Sequence, residues 1–451
     1  MQEPIVSVAG VRGIVGKSLV PDDYIRRLLA FASMVRGSRV VVGGDTRLSR
    51  DMLRQLAFAG LTAAGYTVID LGICPTPTVG FMVRYLNADC GLAITASHNP
   101  VEWNAFKFFN RKGTFITKAE NEIVQKIYED RSFRLADVWG LGEVQAMRNP
   151  LQPHLKAVLG NVDVRAIKQR GFRVAVDCCN GAGSEFIPML LSKLGCEMRI
   201  INENMKKPFP HEPEPLPKNL TQLSRVMRRF KGDIGFALDP DADRLAIVDA
   251  HGSALGEERT LVIVANHFLK YYGKSPITVN LSVTRAIDDV ADKFRVKVER
   301  TPVGEANVVE RMLAIKGKIG GEGNGGIIIP EIHPGRDAAT GIVMVLEAMA
   351  YSKASVTELN KCVPDYVMLK AKIERDPKAK VDVLLKKFER AFRSSAQQVI
   401  KQDGVKIILK DGNWLNARAS GTEPIIRIFA EAPTKNQAQQ LLKEARAAIE
   451  K

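Results

Sequence analysis

Ser97 lies in a short polar segment, T-A-S-H-N-P at residues 95–100 (the serine loop), that follows an apolar run. Because proline cannot donate a hydrogen bond to a β-ladder, the strand predicted by the apolar run ends within this loop. A turn at the carboxyl end of a parallel strand presents its side chains to the crevice in which α/β proteins bind ligands. Ser97 is therefore a candidate nucleophile, and a serine turn without a chemical role is the alternative.

Two side chains near Ser97 could move a proton during such chemistry. His98 is adjacent in sequence, but successive side chains of an extended segment point to opposite sides. His98 is therefore not the expected base for Ser97. Lys107 lies ten residues further along the chain and is the better candidate for proton transfer.

Three carboxylates follow another apolar run, in the segment D-P-D-A-D-R at residues 239–244 (the aspartate loop). Unpaired carboxylates at Asp239, Asp241 and Asp243 would repel one another and raise one another's pKa values, and a divalent cation would remove that penalty. All-oxygen sites suit Mg²⁺, and the spacing of an EF-hand is missing. We therefore expect a metal site here, with an acidic surface turn as the alternative.

A glycine-rich segment, G-G-E-G-N-G-G at residues 320–326 (the glycine loop), is suited to a sugar. Its glycines let the backbone approach a ligand closely. The side chains of Glu322 and Asn324 offer hydrogen-bond acceptors and donors for sugar hydroxyls. A flexible connector is the alternative interpretation.

A final polar segment, R-A-S-G-T-E-P at residues 418–424 (the arginine loop), is suited to a phosphate, and Arg427 follows shortly after it. Two arginines, two hydroxyls and a glycine amide can converge on one anion through charge-assisted hydrogen bonds. A turn with incidental arginines is the alternative. Taken together, the four loops fit phosphoryl transfer to or from a sugar.

The elements that must position these loops alternate between β-branched runs and amphipathic stretches, such as the helix predicted over residues 51–64. Near-continuous apolar strands between helices predict parallel or mixed sheets that are covered on both faces. The pattern restarts twice, which indicates three successive α/β units. Strands are predicted at residues 38–43, 67–71, 90–96, 172–177, 234–238 and 276–280.

The segment from about residue 365 differs, because its pattern is that of a small α+β domain. It predicts a helix over 381–392, strands over 405–409 and 425–430, and a closing helix from Lys435. The predicted fold class is therefore α/β, with three repeated mixed-sheet domains followed by a smaller α+β domain. The predicted domains are residues 1–149 with the serine loop, 150–251 with the aspartate loop, 252–364 with the glycine loop and 365–451 with the arginine loop.

Composition indicates a globular protein and bears on its partners. Of 451 residues, 45% are hydrophobic and 25% charged, and the net charge of +15 permits a nucleic-acid partner. Aromatic content of only 6% argues against base stacking, and the basic cluster at residues 225–231 is predicted to be a solvated helix face. We expect no nucleic-acid partner and no membrane span, and six scattered cysteines indicate reduced thiols in the cytoplasm.

The four loops, in this order, resemble the motifs of the α-D-phosphohexomutase family over essentially the whole chain. Further matches are G-V-R-G at residues 10–13, D-T-R at 45–47, N-G-A-G at 180–183 and P-H-E-P-E-P-L-P at 210–217. The resemblance implies a heart-shaped enzyme of four domains around a central cleft. Its phosphoserine, at Ser97, would phosphorylate a hexose monophosphate and take a phosphate back from the resulting 1,6-bisphosphate.

The resemblance also implies roles for individual residues. Arg12 would lie close to the phosphoserine, Lys107 would act as acid and base, and Arg244 would assist at the aspartate loop, with His98 a further catalytic candidate. The implied ligands of Mg²⁺ are Ser97, Asp239, Asp241 and Asp243. The implied substrate contacts are Gly304, Glu305, Glu322, Asn324, Arg418, Ser420, Gly421, Thr422 and Arg427. A hexose 1,6-bisphosphate would be the activator, and a monomer or homodimer is expected.

Two departures from several relatives concern the sugar. Asn324 and Gly326 stand where those relatives have serine and histidine, and Glu305 stands where some have histidine. An acidic Glu305 would suit the ammonium group of an amino sugar, and parts of the chain resemble sequences described as phosphoglucosamine mutases. Glucosamine 6-phosphate is therefore the predicted substrate. A phosphomannomutase/phosphoglucomutase of the same mechanism is the alternative, and a sugar-phosphate phosphatase or a nucleic-acid-binding protein is a remote one.

Overall fold

The computed structural model describes residues 3–7, 10–375, 380–420 and 425–450. The chain forms two compact units, each discontinuous in sequence. The first comprises Met1–Phe268 and Asn324–Asn360, and the second comprises Leu269–Gly323 and Lys361–Lys451. Within the described ranges, no helix has the length and apolar character needed to cross a membrane.

The serine loop belongs to a mixed seven-stranded sheet of the first unit. Its elements are β1 (Ile5–Ser7), β2 (Gly10–Ile14), α1 (Pro21–Val35), β3 (Arg39–Gly44), α2 (Arg50–Ala63), β4 (Thr67–Ile73), α3 (Thr76–Tyr85), β5 (Cys90–Ile94), β6 (Trp103–Phe109), α4 (Lys118–Asp130) and β7 (Val144–Ala146). The strand order is β1-β2-β6-β5-β3-β4-β7, in which β5, β3, β4 and β7 are parallel and β6 is antiparallel to both of its neighbours. The serine loop is the connection between β5 and the antiparallel β6.

The aspartate loop belongs to a second, four-stranded sheet of the first unit. Its elements are α5 (Gln152–Leu159), α6 (Val164–Arg170), β8 (Arg173–Asp177), α7 (Gly183–Lys193), β9 (Glu197–Ile201), a short 3₁₀ helix (Pro217–Asn219), α8 (Thr221–Phe230), β10 (Ile234–Leu238) and β11 (Leu245–Val248). The order is β11-β10-β8-β9, with β10 and β11 antiparallel and the other pairs parallel. All five residues of β10 are buried, and the aspartate loop follows its last residue directly.

The third stretch of chain contributes elements to both units. These are α9 (Glu257–Tyr271), β12 (Ile277–Asn280), α10 (Ala286–Phe294), β13 (Val298–Thr301), α11 (Glu305–Ile315), β14 (Ile319–Glu322), β15 (Gly326–Ile328), α12 (Ala338–Ser352) and α13 (Val356–Asn360). In the second unit, β12 pairs in parallel with β13 and with β14. In the first unit, Asp337 caps α12 by accepting hydrogen bonds from two backbone N–H groups of its first turn.

The C-terminal stretch is an antiparallel five-stranded sheet with two helices, all in the second unit. Its elements are β16 (Val367–Glu374), α14 (Val381–Phe392), β17 (Ala396–Ile400), β18 (Val405–Leu409), β19 (Trp414–Ala419), β20 (Ile425–Ala432) and α15 (Lys435–Glu450). The order is β16-β20-β19-β18-β17, and the arginine loop connects β19 to β20. A core of apolar residues between sheet and helices includes Phe388, Ile407 and Ile428.

Candidate active site

Ser97 and the aspartate loop, 142 residues apart in sequence, meet inside the first unit. The hydroxyl of Ser97 donates to Asp239 Oδ2 at 2.8 Å. Ser97 is 6% exposed and has a φ of 52°, in the left-handed region that a residue with a Cβ rarely adopts. The structure thus brings the candidate nucleophile onto the candidate metal ligands.

The three aspartates form one buried cluster, in which ligand oxygens from all three lie within 4.8 Å of one another. The backbone N–H groups of Asp243 and Arg244 each donate to Asp239 Oδ1 at 3.1 Å, which fixes the turn of the loop. The hydroxyl of Thr76 donates to Asp241 Oδ2 at 2.7 Å. The loop is therefore held in place by its own backbone and by the first turn of α3.

Three cations surround these carboxylates. Lys107 Nζ lies 2.7 Å from Asp241 Oδ2 and 3.7 Å from Asp243 Oδ2. The side chain of Arg336 donates to Asp243 Oδ2 at 2.6 Å. Arg244 Nε lies 3.9 Å from Asp239 Oδ2 and 3.8 Å from Asp243 Oδ1. Repulsion within the loop is thus partly offset by these three cations.

The pKa values within the cluster diverge because the cations are unevenly distributed. Burial, together with the charges of Asp243 and Asp241, raises the pKa of Asp239 well above its usual range. Burial also disfavours the charged form of Asp241, but the charge of Lys107 and the hydrogen bonds of Asp239, Lys107 and Thr76 together outweigh burial and lower the pKa of that carboxyl. Burial opposes the charge on Lys107 as well, yet Asp241 and Asp243 raise its pKa. Lys107 is therefore an ammonium group at neutral pH.

A hard divalent cation fits the residues present. Two buried oxygens, Asp241 Oδ1 and Asp243 Oδ1, accept no hydrogen bond from any described residue. Buried acceptors of this kind are costly unless something satisfies them. The donor set consists of three carboxylates with the Ser97 hydroxyl beside them, which is the all-oxygen chemistry preferred by Mg²⁺.

His98 lies closer to Ser97 than an extended segment would allow. Its Nδ1 is 3.5 Å from Ser97 Oγ, because the left-handed turn at Ser97 removes the extended geometry on which the sequence prediction depended. Burial lowers the pKa of His98, and the charges of Arg244 and Arg12 lower it further. His98 is therefore a neutral imidazole at neutral pH. Arg12 Nη1 donates to Asn99 Oδ1 at 3.3 Å, which places Arg12 at the serine loop.

Arg336 is the functional residue that the sequence analysis did not single out. It occupies the space beside Gly326, where an added Cβ would lie 2.2 Å from Arg336 Cδ. Asn324 turns back on its own loop and accepts a hydrogen bond from the N–H of Gly326 at 3.2 Å. A side chain at position 326 is thus incompatible with this position of Arg336, which gives a physical reason for the glycine. The signal in the sequence was an arginine directly before Asp337, the cap of α12.

The glycine loop and the start of α11 are joined in the second unit. Glu322 Oε1 accepts hydrogen bonds from Asn280 Nδ2 at 2.8 Å and from the N–H of Gly304 at 3.1 Å. Gly304 has a φ of 125° and caps α11, whose first residue is Glu305. The structure therefore brings Gly304, Glu305 and Glu322 together, although one oxygen of Glu322 is already engaged by the protein.

The arginine loop places two cations side by side in the second unit. Arg418 of β19 and Arg427 of β20 are direct cross-strand partners, so their side chains share one face of the sheet. Burial lowers the pKa of Arg418, while Asp403, 3.9 Å away, has the opposite effect. The N–H of Ser420 donates to the carbonyl of Ile425 at 2.9 Å and closes the loop. Two other predicted contacts, Gly421 and Thr422, lie outside the described residues.

Four domain models of one protein family match this chain in succession. They are the alpha/beta/alpha domains I, II and III of phosphoglucomutase/phosphomannomutase, at residues 4–135, 152–252 and 257–366, and the C-terminal domain, at residues 368–448. The match covers most of the chain and confirms the predicted fold class.

Individual proteins match over nearly their whole length. A protein of Thermococcus kodakarensis named "Phosphoglucomutase/phosphomannomutase" is 36% identical over 441 residues, covering 96% of this chain and 95% of its own. A protein of Pyrococcus abyssi named "Probable phosphoglucosamine mutase" is 36% identical over 440 residues, covering 97% and 96%. The crystal structure of a phosphoglucomutase/phosphomannomutase family protein from Burkholderia thailandensis superposes with a TM-score of 0.86 at 25% identity, covering 99% and 97%. The chain belongs to the phosphoglucomutase/phosphomannomutase family, and it is a phosphohexomutase, an enzyme of a metal-dependent class whose substrates are hexose phosphates.

Proposed function

We propose that this mutase interconverts glucosamine 6-phosphate and glucosamine 1-phosphate through a phosphoserine at Ser97 and a 1,6-bisphosphate intermediate. The observation that carries the mechanism is the 2.8 Å contact of Ser97 Oγ with Asp239 Oδ2 inside a cluster of carboxylates and cations. A hydroxyl in this position is directly beside the groups that can neutralise a phosphate. The same observation supports Ser97, Asp239, Asp241 and Asp243 as the proposed ligands of Mg²⁺.

The charges of the cluster favour a phosphate on Ser97. Three aspartates face the cations Lys107, Arg244 and Arg336, so their formal charges cancel. Adding Mg²⁺ alone would leave an excess of about +2, whereas a phosphoserine of about −2 restores neutrality. Metal and phosphate therefore complement each other in this site.

Phosphoryl transfer from Ser97 exchanges one bond to phosphorus for another. The bond between Ser97 Oγ and phosphorus breaks, a bond from phosphorus to a sugar hydroxyl forms, and the proton released by that hydroxyl must be taken up while Oγ is reprotonated. We assign this proton transfer to Lys107, which as an ammonium group would give a proton to Oγ and then, as a neutral amine, take up the proton of the sugar hydroxyl. His98 and Arg12 lie beside the serine loop and Arg244 at the aspartate loop. Mg²⁺, when bound, would neutralise negative charge on the transferring group.

We assign the non-reacting phosphate to the arginine loop and to Arg427. The cross-strand pair of Arg418 and Arg427 supports this assignment, because adjacent cations are favoured when an anion binds between them. Ser420, Gly421 and Thr422 complete the proposed phosphate contacts. For the sugar, we propose contacts from Gly304, Glu305, Glu322 and Asn324.

The amino sugar is favoured over mannose or glucose by two observations. A relative of 36% identity is named "Probable phosphoglucosamine mutase", and Glu305 supplies a carboxylate at the start of α11 that would suit an ammonium group.

We also propose domain boundaries near residues 149, 251 and 364, activation by a hexose 1,6-bisphosphate, and a monomer or homodimer. Five buried cysteines without disulfides, Cys74, Cys90, Cys178, Cys179 and Cys196, support a cytoplasmic location.

A coupled assay on glucosamine 6-phosphate, mannose 1-phosphate and glucose 1-phosphate tests the proposal, with Mg²⁺ and a trace of glucose 1,6-bisphosphate. We expect the highest kcat/KM for glucosamine 6-phosphate and little release of free phosphate. Ser97→Ala should lower turnover of each sugar by about 10⁶-fold, as loss of a nucleophile does, while Ser394→Ala, at an exposed serine, should not. Activity retained by Ser97→Ala would refute the phosphoserine. Equal turnover of mannose 1-phosphate would refute the sugar preference, and phosphate release exceeding isomerised product would indicate a phosphatase.

A further inference from the structure

Two motifs have no role in the chemistry proposed above, and they meet beneath the serine loop together with Pro208 and Phe209. The motifs are D-T-R at residues 45–47 and N-G-A-G at 180–183, and Pro208 and Phe209 directly precede the proline-rich segment at 210–217. Arg47, which is only 2% exposed, lies where they meet. A buried arginine is retained only where its donors are satisfied, so its partners indicate what it holds.

Arg47 uses its whole guanidinium group to hold the serine loop and the residues that flank it. Nη2 donates to the carbonyl of Ser97 at 2.6 Å, and Nε donates to the carboxylate of Asp45 at 3.2 Å. The other three bonds, at 2.6 to 2.9 Å, also end on backbone carbonyls. Their acceptors are Asn99, Pro100 and Trp103. One side chain thus binds four carbonyls within seven residues of chain.

The same network also holds the backbone N–H of Ser97. The N–H of Ser97 donates to the hydroxyl of Thr95 at 2.9 Å, and that hydroxyl donates to Asp45 Oδ2 at 2.6 Å. Asp45 is oriented in turn by the N–H of Arg47, which donates to its Oδ1 at 3.0 Å. Both backbone polar groups of Ser97 are therefore anchored to the same Asp45–Arg47 pair.

This anchoring accounts for the backbone conformation of the nucleophile. Ser97 has a φ of 52°, and a left-handed residue with a Cβ persists only where its surroundings determine it. The carbonyl held by Arg47 and the N–H held by Thr95 flank that dihedral angle directly. In this conformation Ser97 Oγ reaches Asp239, so the position of the nucleophile depends on the network.

The network continues to the aspartate loop through the N-G-A-G motif. The hydroxyl of Thr46 donates to the carbonyl of Asn180 at 2.7 Å. Two residues later, the N–H of Ala182 donates to the carbonyl of Pro240 at 2.7 Å. Asn180 Nδ2 donates to the carbonyl of Pro208 at 2.7 Å, and the ring of Phe209 lies 5.0 Å from the Arg47 guanidinium carbon. The D-T-R motif thus contacts both the loop that carries the nucleophile and the turn that supports its metal ligands.

We propose that Arg47 is a positioning residue that sets the geometry of Ser97 relative to the aspartate loop, with Asp45, Thr46 and Thr95 as its intermediaries. The inference rests on the proposed phosphoserine mechanism. Arg47 acts through the serine loop and has no contact with the reacting atoms, so its loss is expected to slow phosphoryl transfer without weakening substrate binding. A misplacement of a reacting group by about 1 Å can slow a reaction by about 100-fold.

The test compares single-turnover phosphoryl transfer in wild type, Arg47→Lys and the control Arg54→Lys. Lysine keeps the charge of Arg47 but lacks the planar fork that reaches several carbonyls at once. Arg54 is a partly buried arginine of the same sheet region, paired with Asp70 away from the serine loop. Each enzyme is phosphorylated with glucose 1,6-bisphosphate, phosphate on Ser97 is counted by intact mass, and transfer to glucosamine 6-phosphate is followed by rapid quench. Counting per phosphorylated site removes any effect of a smaller active fraction.

We expect Arg47→Lys to lower the single-turnover rate constant by about 100-fold, with KM within about twofold of wild type, and Arg54→Lys to match wild type. A folded Arg47→Lys that transfers phosphate at the wild-type rate, or that raises KM with an unchanged rate, would overturn the inference. Absence of transfer in wild type would instead refute the proposed function, so the two failures are distinguishable.

Thr95 provides a second test that remains decisive if Arg47→Lys does not fold. Thr95→Val keeps the shape of the side chain but removes the hydroxyl that bonds both Ser97 and Asp45. We expect it to slow transfer by about tenfold at constant KM, and Thr95→Ser, which retains the hydroxyl, to recover most of the rate. A Thr95→Val enzyme with the wild-type rate, or a Thr95→Ser enzyme as slow as Thr95→Val, would contradict the role of the network.

Discussion

At the residue scale, the chemistry of the site could be predicted from the sequence, but its electrostatics could not. Ser97 and the three aspartates were identified because each follows an apolar run and closes with a turn residue. Lys107 and Arg244 were identified as members of the site, but the contact of Lys107 with the aspartates was not. Arg336 was not identified, because it lies before a helix and reaches Asp243 from a distant point in the chain. The left-handed turn at Ser97 has no signal of its own, since serine is not a residue that favours it.

The charge balance of the cluster makes metal binding depend on phosphorylation of Ser97. Without the phosphate, Mg²⁺ would enter a site whose three carboxylates already face three cations. The phosphorylated enzyme should therefore bind Mg²⁺ at least about tenfold more tightly, a difference of about 1.4 kcal/mol. Isothermal titration calorimetry on the phosphorylated and phosphatase-treated enzymes measures this difference. Equal dissociation constants in the phosphorylated and the phosphatase-treated enzyme would contradict the charge argument.

At the element scale, the predicted elements agree best where periodicity and apolar content were clear. The strand at residues 234–238 and the helix at 381–392 have the bounds predicted for them, because each is flanked by polar or turn residues. Helix α12 was not predicted, because all of its first twelve residues, including Glu347, are buried. No polar face therefore marks the helical period in the sequence. Strands β2 and β6, which complete the sheet beside the serine loop, were missed because glycines, Arg12 and Lys107 interrupt their apolar pattern.

The turn before α7 is packed too closely against the aspartate loop to accept a side chain. An added Cβ at Gly181 would lie 2.5 Å from the carbonyl oxygen and 2.7 Å from the Cα of Pro240, both backbone atoms. Gly181→Ala must therefore displace the aspartate loop, and we expect a loss of about 1–3 kcal/mol in the free energy of unfolding. Weaker Mg²⁺ binding should accompany it.

Gly140→Ala is the matched control for this substitution, because its Cβ would meet the nearest atom, Ala136 Cβ, at an ordinary 3.4 Å. Urea unfolding and calorimetric Mg²⁺ titration of both variants provide the comparison. If Gly181→Ala kept wild-type stability and metal affinity, the aspartate loop would not depend on this close packing.

At the scale of the whole molecule, the net charge is +15, and the sequence predicted a solvated helix face for the basic cluster at residues 225–231. Arg225, Arg228 and Arg229 of α8 are all exposed, which confirms a solvated helix face. Such a surface is self-repelling, and the repulsion grows on acidification as carboxylates are protonated. The absence of a nucleic-acid partner stays a prediction, and a salt-dependent binding assay would test it. The net charge therefore predicts that acidification destabilises this fold.

A buried histidine adds a specific contribution to that sensitivity. His333 is 2% exposed, and burial, reinforced by the charge of His154, lowers its pKa to about 3 against a partial opposing effect of Asp337. Below a pH of about 6.5 the unfolded chain binds a proton at this side chain that the folded chain does not. The free energy of unfolding therefore falls as the pH decreases from about 6.5 toward 3, by about 1.4 kcal/mol per pH unit from this group.

His333→Gln removes this proton uptake, so its urea-unfolding free energy should decline less steeply than that of wild type between pH 6.5 and pH 4.5. Over these two pH units the free energy of unfolding of wild type should fall by about 2.3 kcal/mol more than that of His333→Gln, because the unfolded histidine is half protonated at pH 6.5 and almost fully protonated at pH 4.5. A constant offset caused by the substitution does not affect this difference. His251→Gln is the control, because it removes a histidine that is exposed in the folded protein. Parallel slopes for wild type and His333→Gln would mean that His333 is protonated in the folded enzyme, and acid sensitivity would then have to come from the carboxylates and the net charge alone.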